Sequence, residues 1–472
     1  MWYNLETIVA WAKRRGFVYP GSDIYGGLAN AWDLWPYGAL LRKNILDMRW
    51  KYFVQKRQDI VWLDSQILMN PQVWVASGHV WWFSDPLIDC KKCWTRVRAD
   101  KMIEEYIFDK KLTQEELTKK LGVESMVPES WTFEQQKQFF VEYWLSCPNC
   151  KAKDWTDIRK FNLMFKTRQW VTEDSSADIY LRPETAQWIF VNFKNILDTM
   201  RVRVPFGIAQ IGKAFRNEIT PWNFLFRIRE LEQMEIEYFV EPGTDLEWLE
   251  DWKKTSQNWR VNIIWIKEDN LRFRKHEQDE LSHYSKWTYD VEYMFPWGWW
   301  ELQWIADRTD YDLNAHMKTS WQNMQYTDPK TGKRYIPYVI EPSFGLTRAI
   351  LTAMLDSYDE ESYPDANGEN QTRTVARFHK NIAPIKFAIL PLIEKSQEMI
   401  DLSQKIYENL SENYMCELDA KWWIGKRYRR QDEIGTPYCI TVDHDSLVDG
   451  TVTIRDRDTM QQTRVKIEDI KF

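Results

Sequence analysis

The sequence has 472 residues, 44% of them hydrophobic, and a formal net charge of −7, and this length suits two or three domains that each bury a core. The negative charge excludes a protein coated in positive charge, although a local basic surface can still bind nucleic acid. No apolar run reaches membrane-spanning length, and the first residues lack the charge order of a signal peptide, so we expect a cytoplasmic protein without a membrane partner.

In chain order, the sequence predicts a large α+β domain followed by a small α/β domain. Residues 1–355 form the first, and residues of about 90–155 are inserted in it as a cysteine-containing subdomain. Residues 356–380 are predicted to be a linker, because this segment begins with a stretch rich in Asp, Glu, Ser, Asn and Gly. Residues 381–472 alternate strand and helix patterns, which is typical of a separate α/β domain.

The inserted segment carries two Cys-x-x-Cys pairs. Two such pairs are typical of zinc ligands, and the predicted ligands are Cys90, Cys93, Cys147 and Cys150. The interval between the pairs exceeds the usual gap, and Lys151 stands where such turns favour glycine. Incidental thiols therefore remain the alternative.

Two strand-like segments, 206–215 and 226–240, predict an antiparallel hairpin. In the second segment Gln233, Glu235 and Glu237 alternate with apolar residues, and the period of two places the polar set on one face. A hairpin with a polar, charged face is therefore expected.

Charged residues that suit phosphate binding follow two predicted strands. Arg216 and Glu218 lie at the end of the first hairpin strand, where a guanidinium can grip a phosphate and a carboxylate can orient that arginine or a nucleotide amine. Farther along, a strand over residues 335–340 leads through a turn to Gly345, which opens a helix that carries Arg348 in its first turn. A helix N-terminus favours an anion. For Arg216 and Glu218 alone, a surface salt bridge remains the alternative.

The C-terminal domain contains the basic run Lys426-Arg427-Tyr428-Arg429-Arg430. Cations next to an aromatic residue suit contact with phosphate and base. A basic run is also a common feature of a solvated helix face, so this alternative stays open.

The sequence resembles the class II aminoacyl-tRNA synthetases, and specifically those for glycine. The resemblance rests on Gly212-Lys-Ala-Phe-Arg-Asn-Glu218, Glu341-Pro-Ser-Phe-Gly-Leu-Thr-Arg348, Arg182-Pro-Glu-Thr-Ala-Gln187, Glu232-Gln-Met-Glu-Ile-Glu-Tyr238, Arg308-Thr-Asp-Tyr-Asp-Leu313 and the string from Lys426 to Pro437. The resemblance implies a catalytic domain built on an antiparallel sheet and a C-terminal anticodon-binding domain.

The resemblance also implies that glycine is activated with ATP and Mg²⁺ and then transferred to tRNA(Gly). The catalytic residues would be Arg216, Glu218 and Arg348, with Arg216 on the α-phosphate and Arg348 on the γ-phosphate. The wider ATP set would be Arg216, Asn217, Glu218, Phe226, Arg227, Leu231, Glu301, Leu302, Gly345 and Arg348. Leu231 stands where the family has a phenylalanine that stacks on adenine, and Phe226 is the candidate replacement.

The glycine-binding set implied by the resemblance is Arg98, Glu184, Leu231, Glu232, Gln233, Met234, Glu235, Arg308, Glu341 and Ser343. The tRNA contacts would be Lys426, Arg427, Arg429 and Arg430, and the active form would be a homodimer. Two alternatives remain: a related synthetase for threonine, proline or histidine, and a non-catalytic RNA-binding paralogue.

The chain has 28 tryptophans and only 17 glycines, whereas about 33 glycines are expected for this length. Compared with the family, tryptophan occupies glycine or small-residue positions at Trp35, Trp62, Trp81, Trp82, Trp94, Trp170, Trp188, Trp222, Trp265, Trp300, Trp304 and Trp321. We expect a positive φ at Trp222, which follows Pro221 in a predicted type II turn. Our hypothesis is that UGA codons for glycine are read here as tryptophan, and the alternative is a diverged or designed Trp-rich chain.

Overall fold

The computed structural model describes residues 3–169, 178–278, 280–282, 284–364 and 368–470. Helices and mostly antiparallel sheets are both present, which confirms the predicted α+β class. Trp170 lies outside the described residues.

The first 83 residues supply helices and short strands that pack around the main sheet. These are α1 (Leu5–Arg14), β1 (Val18–Pro20), β2 (Trp32–Leu34), α2 (Pro36–Trp50), β3 (Ile60–Trp62), α3 (Gln72–Ala76) and α4 (His79–Trp82). Helix α1 begins at Asn4, whose side chain accepts a hydrogen bond from the Thr7 amide, as an N-cap residue does.

The cysteine-containing insertion is a three-stranded sheet with helices between its strands. It comprises β4 (Ser84–Asp89), β5 (Arg96–Arg98), α5 (Ala99–Lys110), α6 (Gln114–Leu121), α7 (Phe133–Glu142) and β6 (Arg159–Asn162), in the strand order β5-β4-β6. Helices α6 and α7 both begin at capping boxes, Thr113 with Glu116 and Thr132 with Gln135. A separate apolar cluster, which includes Ile103, Leu117 and Phe139, gives this unit its own core.

The remainder of the large domain runs to residue 357. Its elements are β7 (Lys166–Arg168), β8 (Asp178–Tyr180), α8 (Ala186–Met200), β9 (Phe206–Phe215), β10 (Glu230–Val240), α9 (Asp245–Asn258), β11 (Leu271–Lys275), β12 (Trp287–Phe295), β13 (Gly298–Thr309), α10 (Tyr311–Ser320), β14 (Tyr326–Thr327), β15 (Arg334–Tyr335), β16 (Tyr338–Glu341), β17 (Phe344–Gly345) and α11 (Leu346–Ser357). The main sheet has the order β11-β12-β13-β16-β10-β9-β3, and β17 pairs with β10 and β13. All these pairs are antiparallel except β3 with β9.

The predicted hairpin is present as β9 and β10, but two details differ. Strand β10 starts at Glu230 instead of residue 226, because residues 222–229 form the turn and its return. The polar face is buried: Gln233, Glu235 and Glu237 are at most 9% exposed. Helix α8 covers this face of β10, and the opposite face contributes Met234 and Ile236 to the largest apolar core.

The C-terminal part contains a two-stranded hairpin, a five-stranded sheet and helices. It contains β18 (Tyr358–Pro364), β19 (Asn370–Ala376), β20 (Phe387–Pro391), α12 (Gln397–Ser411), β21 (Cys416–Leu418), α13 (Ile424–Ile434), β22 (Tyr438–Val442), α14 (His444–Asp449), β23 (Thr451–Asp456) and β24 (Gln462–Lys466), with the sheet order β21-β20-β22-β23-β24.

The segment expected to be a linker, residues 356–380, contains an ordered element. Strands β18 and β19 pair in register from Tyr358 with Ala376 to Pro364 with Asn370. The hydrophilic composition misled the prediction, because this hairpin is held by charged groups: buried Arg373 pairs with Glu361 and, at 2.8 Å, with Asp432. Within the described part of the chain, no helix combines the length and the apolar character needed to cross a membrane.

Candidate active site

A cavity of about 230 Å³ opens where the β9–β10 turn, β13, β17 and the first turn of α11 meet. Its walls include most of the residues that the sequence predicted for ATP and some predicted for glycine. The lining comprises Phe83, Arg98, Leu163, Arg216, Glu218, Phe226, Arg227, Ile228, Leu231, Gln233, Glu301, Trp304, Ser343, Phe344, Gly345, Thr347 and Arg348. Segments distant in the chain are thus brought to one place.

Arg216 lies just past the end of β9. Its Nε donates to the carbonyl of Pro183 at 3.0 Å, and its guanidinium lies 5.4 Å from the ring of Phe83. Among the described residues, no carboxylate forms an ion pair with Arg216, whereas Glu218 lies 3.8 Å from Arg227. Arg216 therefore keeps donors available for an anion.

Arg348 projects from the first turn of α11, as predicted. Its Nη1 donates to the carboxylate and to the carbonyl oxygen of Glu301, both at 2.8 Å. The same guanidinium lies 4.3 Å from the ring of Phe226. Phe226 is itself buried and makes edge-on contacts with Trp222, Trp297 and other aromatic rings.

Eight predicted ligand residues are absent from the cavity wall; four of them lie away from the buried acidic cluster described below. Leu302 and Met234 belong to the apolar core, and Glu232 pairs with Arg42 of α2. Glu232 and Met234 lie one residue out of phase with Gln233 and therefore face the other side of β10. Asn217 uses its backbone amide to bond the carbonyl of Leu163 at 2.7 Å.

Behind the cavity lies a buried cluster of charges on β10, β13, β16 and neighbouring elements. Arg308 donates to Glu341 at 2.8 Å and to both oxygens of Asp312. Glu235 accepts a 2.6 Å bond from the hydroxyl of Thr185. Glu184 accepts from Gln187 at 2.9 Å and lies 3.4 Å from Nε2 of His79; although burial opposes this, the charges of His79 and Arg308 hold the pKa of Glu184 well below its usual range.

Two further predicted residues lie between this cluster and solvent. Ser343 lines the cavity and accepts a 3.2 Å bond from the Ile236 amide. Arg98 lines the opposite wall, where it pairs with Asp85 at 3.1 Å and also with Asp100. The predicted glycine set therefore divides into a buried acidic part and a rim.

The sequence did not single out several lining residues, among them Phe83, Leu163 and Ile228. These are apolar side chains on turns and loops, where no periodic pattern distinguishes a cavity wall from ordinary packing. Trp304, one of the suspect tryptophans, also lines the cavity, and its buried Nε1 has no hydrogen-bond partner within the described structure.

The four predicted zinc ligands converge. Their sulfur atoms all lie within 4.8 Å of one another, with 3.6 Å between Cys90 and Cys150 and 3.6 Å between Cys93 and Cys147. Tetrahedral thiolates at about 2.3 Å from zinc lie about 3.8 Å apart, so the donor set fits Zn²⁺. Trp94 and Lys151, each following a cysteine pair, both have positive φ.

The predicted tRNA contacts all lie on α13 but differ in exposure. Arg427 is fully buried and donates to the carbonyls of Pro391 and Asp419. In this structure the Arg427 side chain therefore has no exposed surface for RNA, and its contact with tRNA stays a prediction. Lys426, Arg429 and Arg430 remain partly exposed.

Several tryptophans occupy backbone conformations that suit glycine. Positive φ occurs at Trp94, Trp144, Trp265, Trp321 and Trp422, all of which are at least 59% exposed. A bulky residue with positive φ is a steric outlier, whereas glycine adopts this region freely. The expected positive φ at Trp222 is wrong, because the turn places it at Asn223 and Phe224 instead.

Two protein families have models that match this chain. The description "tRNA synthetase class II core domain (G, H, P, S and T)" matches residues 165–358. The description "Anticodon binding domain" matches residues 386–471. These intervals contain the cavity-forming strands and the C-terminal sheet, respectively.

Curated relatives cover nearly the whole chain. A protein named glycine–tRNA ligase from Acetivibrio thermocellus is 57% identical over 99% of this chain and 97% of its own length. Its namesake from Clostridium perfringens is 54% identical over the same shares. Among solved structures, prolyl-tRNA synthetase from Cryptosporidium parvum, complexed with L-proline and AMP, matches with a TM-score of 0.59 over 98% of this chain and 72% of that chain. Its 13% identity supports the fold alone.

Proposed function

Since this chain belongs to the glycine–tRNA ligases, a family of class II aminoacyl-tRNA synthetases, we propose that it activates glycine with ATP and transfers it to tRNA(Gly). The observation that carries the proposal is the cavity at which Arg216, Glu218 and Arg348 meet in front of the buried acidic cluster. Such a site can hold an anionic nucleotide beside a small ammonium ion.

In the first step Arg216 holds the α-phosphate of ATP and Arg348 the γ-phosphate. Both arginines neutralise charge on the nucleotide and keep its α-phosphorus in line with the attacking glycine carboxylate. The carboxylate bonds to the α-phosphorus, the bond from that phosphorus to the oxygen bridging to the β-phosphate breaks, and pyrophosphate leaves as glycyl-adenylate forms. A tRNA hydroxyl then attacks the glycyl carbonyl and AMP leaves. Glu218 and Glu301 orient these arginines or contact the nucleotide, and the remaining predicted ATP residues supply the walls or backbone. When bound, Mg²⁺ would supply further charge neutralisation at the phosphates, and Glu218 and Glu301 are the cavity carboxylates that would hold it.

Glycine binds with its ammonium group toward Glu184, Glu235, Glu341 and Ser343. Arg308 does not contact substrate in this scheme, because its donors are used on Glu341 and Asp312; it holds Glu341 in place. Larger amino acids are excluded because the site behind the cavity is filled by buried side chains.

The C-terminal domain is proposed to bind the anticodon region of tRNA through Lys426, Arg429 and Arg430. The active form is proposed to be a homodimer that works in the cytoplasm, and Cys90, Cys93, Cys147 and Cys150 are proposed to hold one Zn²⁺. Sedimentation at several concentrations tests the dimer, and a species of single-chain mass at all of them would rule it out.

We further propose that many of the tryptophans are glycines in the working protein, encoded by UGA. Left-handed conformations at five exposed tryptophans support this, and so does the cavity. Its volume of about 230 Å³ lies below the roughly 300–1,000 Å³ typical of ligand pockets, and Trp304 occupies one wall. Reading the codons decides the origin: UGG at all these positions eliminates the hypothesis.

Pyrophosphate exchange into ATP tests the function. We expect no exchange from the unaltered chain, and glycine-dependent exchange from a variant with Trp222→Gly, Trp300→Gly and Trp304→Gly. The matched control adds Trp74→Gly, at a fully buried tryptophan outside the suspect set, which should destabilise the fold. Equal exchange with alanine or serine would refute glycine specificity. Retained tRNA binding without exchange in any variant would favour the non-catalytic paralogue.

A further inference from the structure

Glu237 is a buried carboxyl group that the proposed reaction does not yet use. It lies on β10, two residues from Glu235 on the same face, and it is fully buried. Neither of its oxygens has a hydrogen-bond partner among the described residues. An isolated buried carboxylate is costly unless it is neutral or paired, so the position needs an explanation.

The neighbours of Glu237 are mainly acids. One oxygen each of Glu235, Glu237 and Glu341 lies within 4.8 Å of the others. Arg308 acts electrostatically on Glu237 and donates hydrogen bonds to Glu341 and Asp312. Arg49 and Arg182 act electrostatically on Glu235. Oε1 of Glu235 is also buried without a donor in the described part of the chain. The three carboxyl groups therefore have more hydrogen-bond acceptors than the donors around them satisfy, and one donor hydrogen is missing.

We propose that Glu237 holds a proton at neutral pH and, as a neutral donor within this triad, positions the carboxylates of Glu235 and Glu341 for the ammonium group of glycine. The proposal rests on the proposed function. Glu237 acts through its two neighbours and is a positioning residue. One proton on Glu237 supplies the missing hydrogen-bond donor. The negative charge of the other two carboxylates is then balanced in part by the ammonium group of glycine.

The electrostatic surroundings agree with this assignment. Burial raises the pKa of Glu237 well above its usual range, and Glu341 and Glu235 raise it further while Arg308 lowers it. Burial also raises the pKa of Glu341. Glu341 accepts a hydrogen bond from Arg308, whereas neither oxygen of Glu237 has a donor among the described residues, so the geometry places the proton on Glu237. The groups that face Glu237 are Glu235 on its own strand, Glu341 on β16, Arg308 on β13 and Asp312 on α10. Like charges this close do not ionise together in a site closed to water.

An infrared difference spectrum between the parent chain and Glu237→Gln tests the proton without requiring activity. We expect the parent to show the carbonyl band of a protonated carboxyl group at neutral pH, shifted in D₂O and absent from E237Q. Identical spectra would overturn the proposal. The spectrum can be recorded on the unaltered chain and on the glycine-restored variant, and neither needs to be active. Its outcome is therefore independent of whether the proposed function holds.

Kinetics on the glycine-restored chain separate proton donation from charge. We expect E237Q, which keeps a neutral N–H donor, to stay within about threefold of the parent in KM for glycine. Glu237→Met, of similar length but without a donor, should raise that KM at least about tenfold with KM for ATP unchanged. Glu230→Gln, on the exposed end of β10, is the unaffected control.

Two outcomes would contradict this assignment. If E237Q is as harmful as Glu235→Gln, Glu237 contacts the ammonium as an anion. If Glu237→Met binds glycine like the parent, Glu237 only fills space. The pH profile adds a readout that does not depend on the folding of the methionine variant. Below the pH at which glycine loses its own ammonium proton, KM for glycine should rise with pH in the parent and stay level in E237Q.

Discussion

At the scale of single residues, the backbone conformation of a position restricts which side chain it tolerates more strongly than its solvent exposure does. Trp321 ends α10 with φ 58° and ψ 16° and donates its amide to the Met317 carbonyl, which is the geometry of a glycine C-cap. Its side chain is 90% exposed and gains little from packing. Left-handed backbone costs an L-residue roughly 1–2 kcal/mol, and glycine avoids that strain.

We therefore expect Trp321→Gly to raise the free energy of unfolding by about 1 kcal/mol, measured by urea denaturation. The matched control is Trp50→Gly, at an exposed tryptophan with right-handed φ of −57°. It should lower stability by about 1 kcal/mol. The same sign at both sites would contradict the glycine interpretation of Trp321.

The protonation of Glu237 also predicts a pH dependence of stability. Because its pKa is raised in the folded state, the folded chain binds more protons than the unfolded chain between the ordinary glutamate pKa and the raised one. Stability contributed by this group is present at low pH and is lost as pH rises through that window, with a slope of up to about 1.4 kcal/mol per pH unit. Urea denaturation across pH should show this loss in the parent and a smaller one in E237Q; parallel curves would contradict it.

At the scale of elements, the cysteine-containing insertion joins an apolar core to a thiol cluster. The two Cys-x-x-Cys turns lie at opposite ends of the segment that contains α5, α6 and α7, so a bound metal would close a long loop. Structural zinc contributes directly to folding where it is bound.

We predict that the purified chain holds one Zn²⁺ and that Cys147→Ser loses it and unfolds at a lower temperature. Metal analysis and thermal unfolding measure the two effects. Cys416→Ser, at a buried cysteine outside the cluster, should reduce stability without changing the metal content. A parent chain without zinc that unfolds at the same temperature as Cys147→Ser would show that the thiols are incidental.

At the scale of the whole molecule, ion pairs join the β18–β19 hairpin and the N-terminal segment to helix α13 of the C-terminal part. Asp432 on α13 is fully buried and accepts from Arg373 at 2.8 Å and from Arg455 at 2.7 Å. Next to it, Glu433 pairs with Arg15 of the N-terminal segment at 2.5 Å.

Replacement of Asp432 should therefore affect more than one part of the molecule. Asp432→Asn leaves buried Arg455 without its counter-charge and leaves Arg373 with Glu361 alone. We expect a loss of about 3–5 kcal/mol, measured by denaturant unfolding. Glu433→Gln, at the partly exposed pair, should cost no more than about 1 kcal/mol. Equal, small losses at both sites would mean that the buried network does not support the fold.

The sequence by itself determined the α+β class, the hairpin and the helix that carries Arg348. It also identified the thiol quartet and the family. These follow from local periodicity, spacing and long matching strings, which need no knowledge of what packs against them.

Only the tertiary structure decided which side chains face the cavity. Helix α8 buries the polar face of β10, Arg427 turns inward, and a charged segment expected to be a linker is held as a hairpin through Arg373. The reason is physical: burial and pairing depend on elements that arrive from distant parts of the chain. For the same reason the isolation of Glu237, which the residue pattern of β10 does not reveal, appears only when three strands come together.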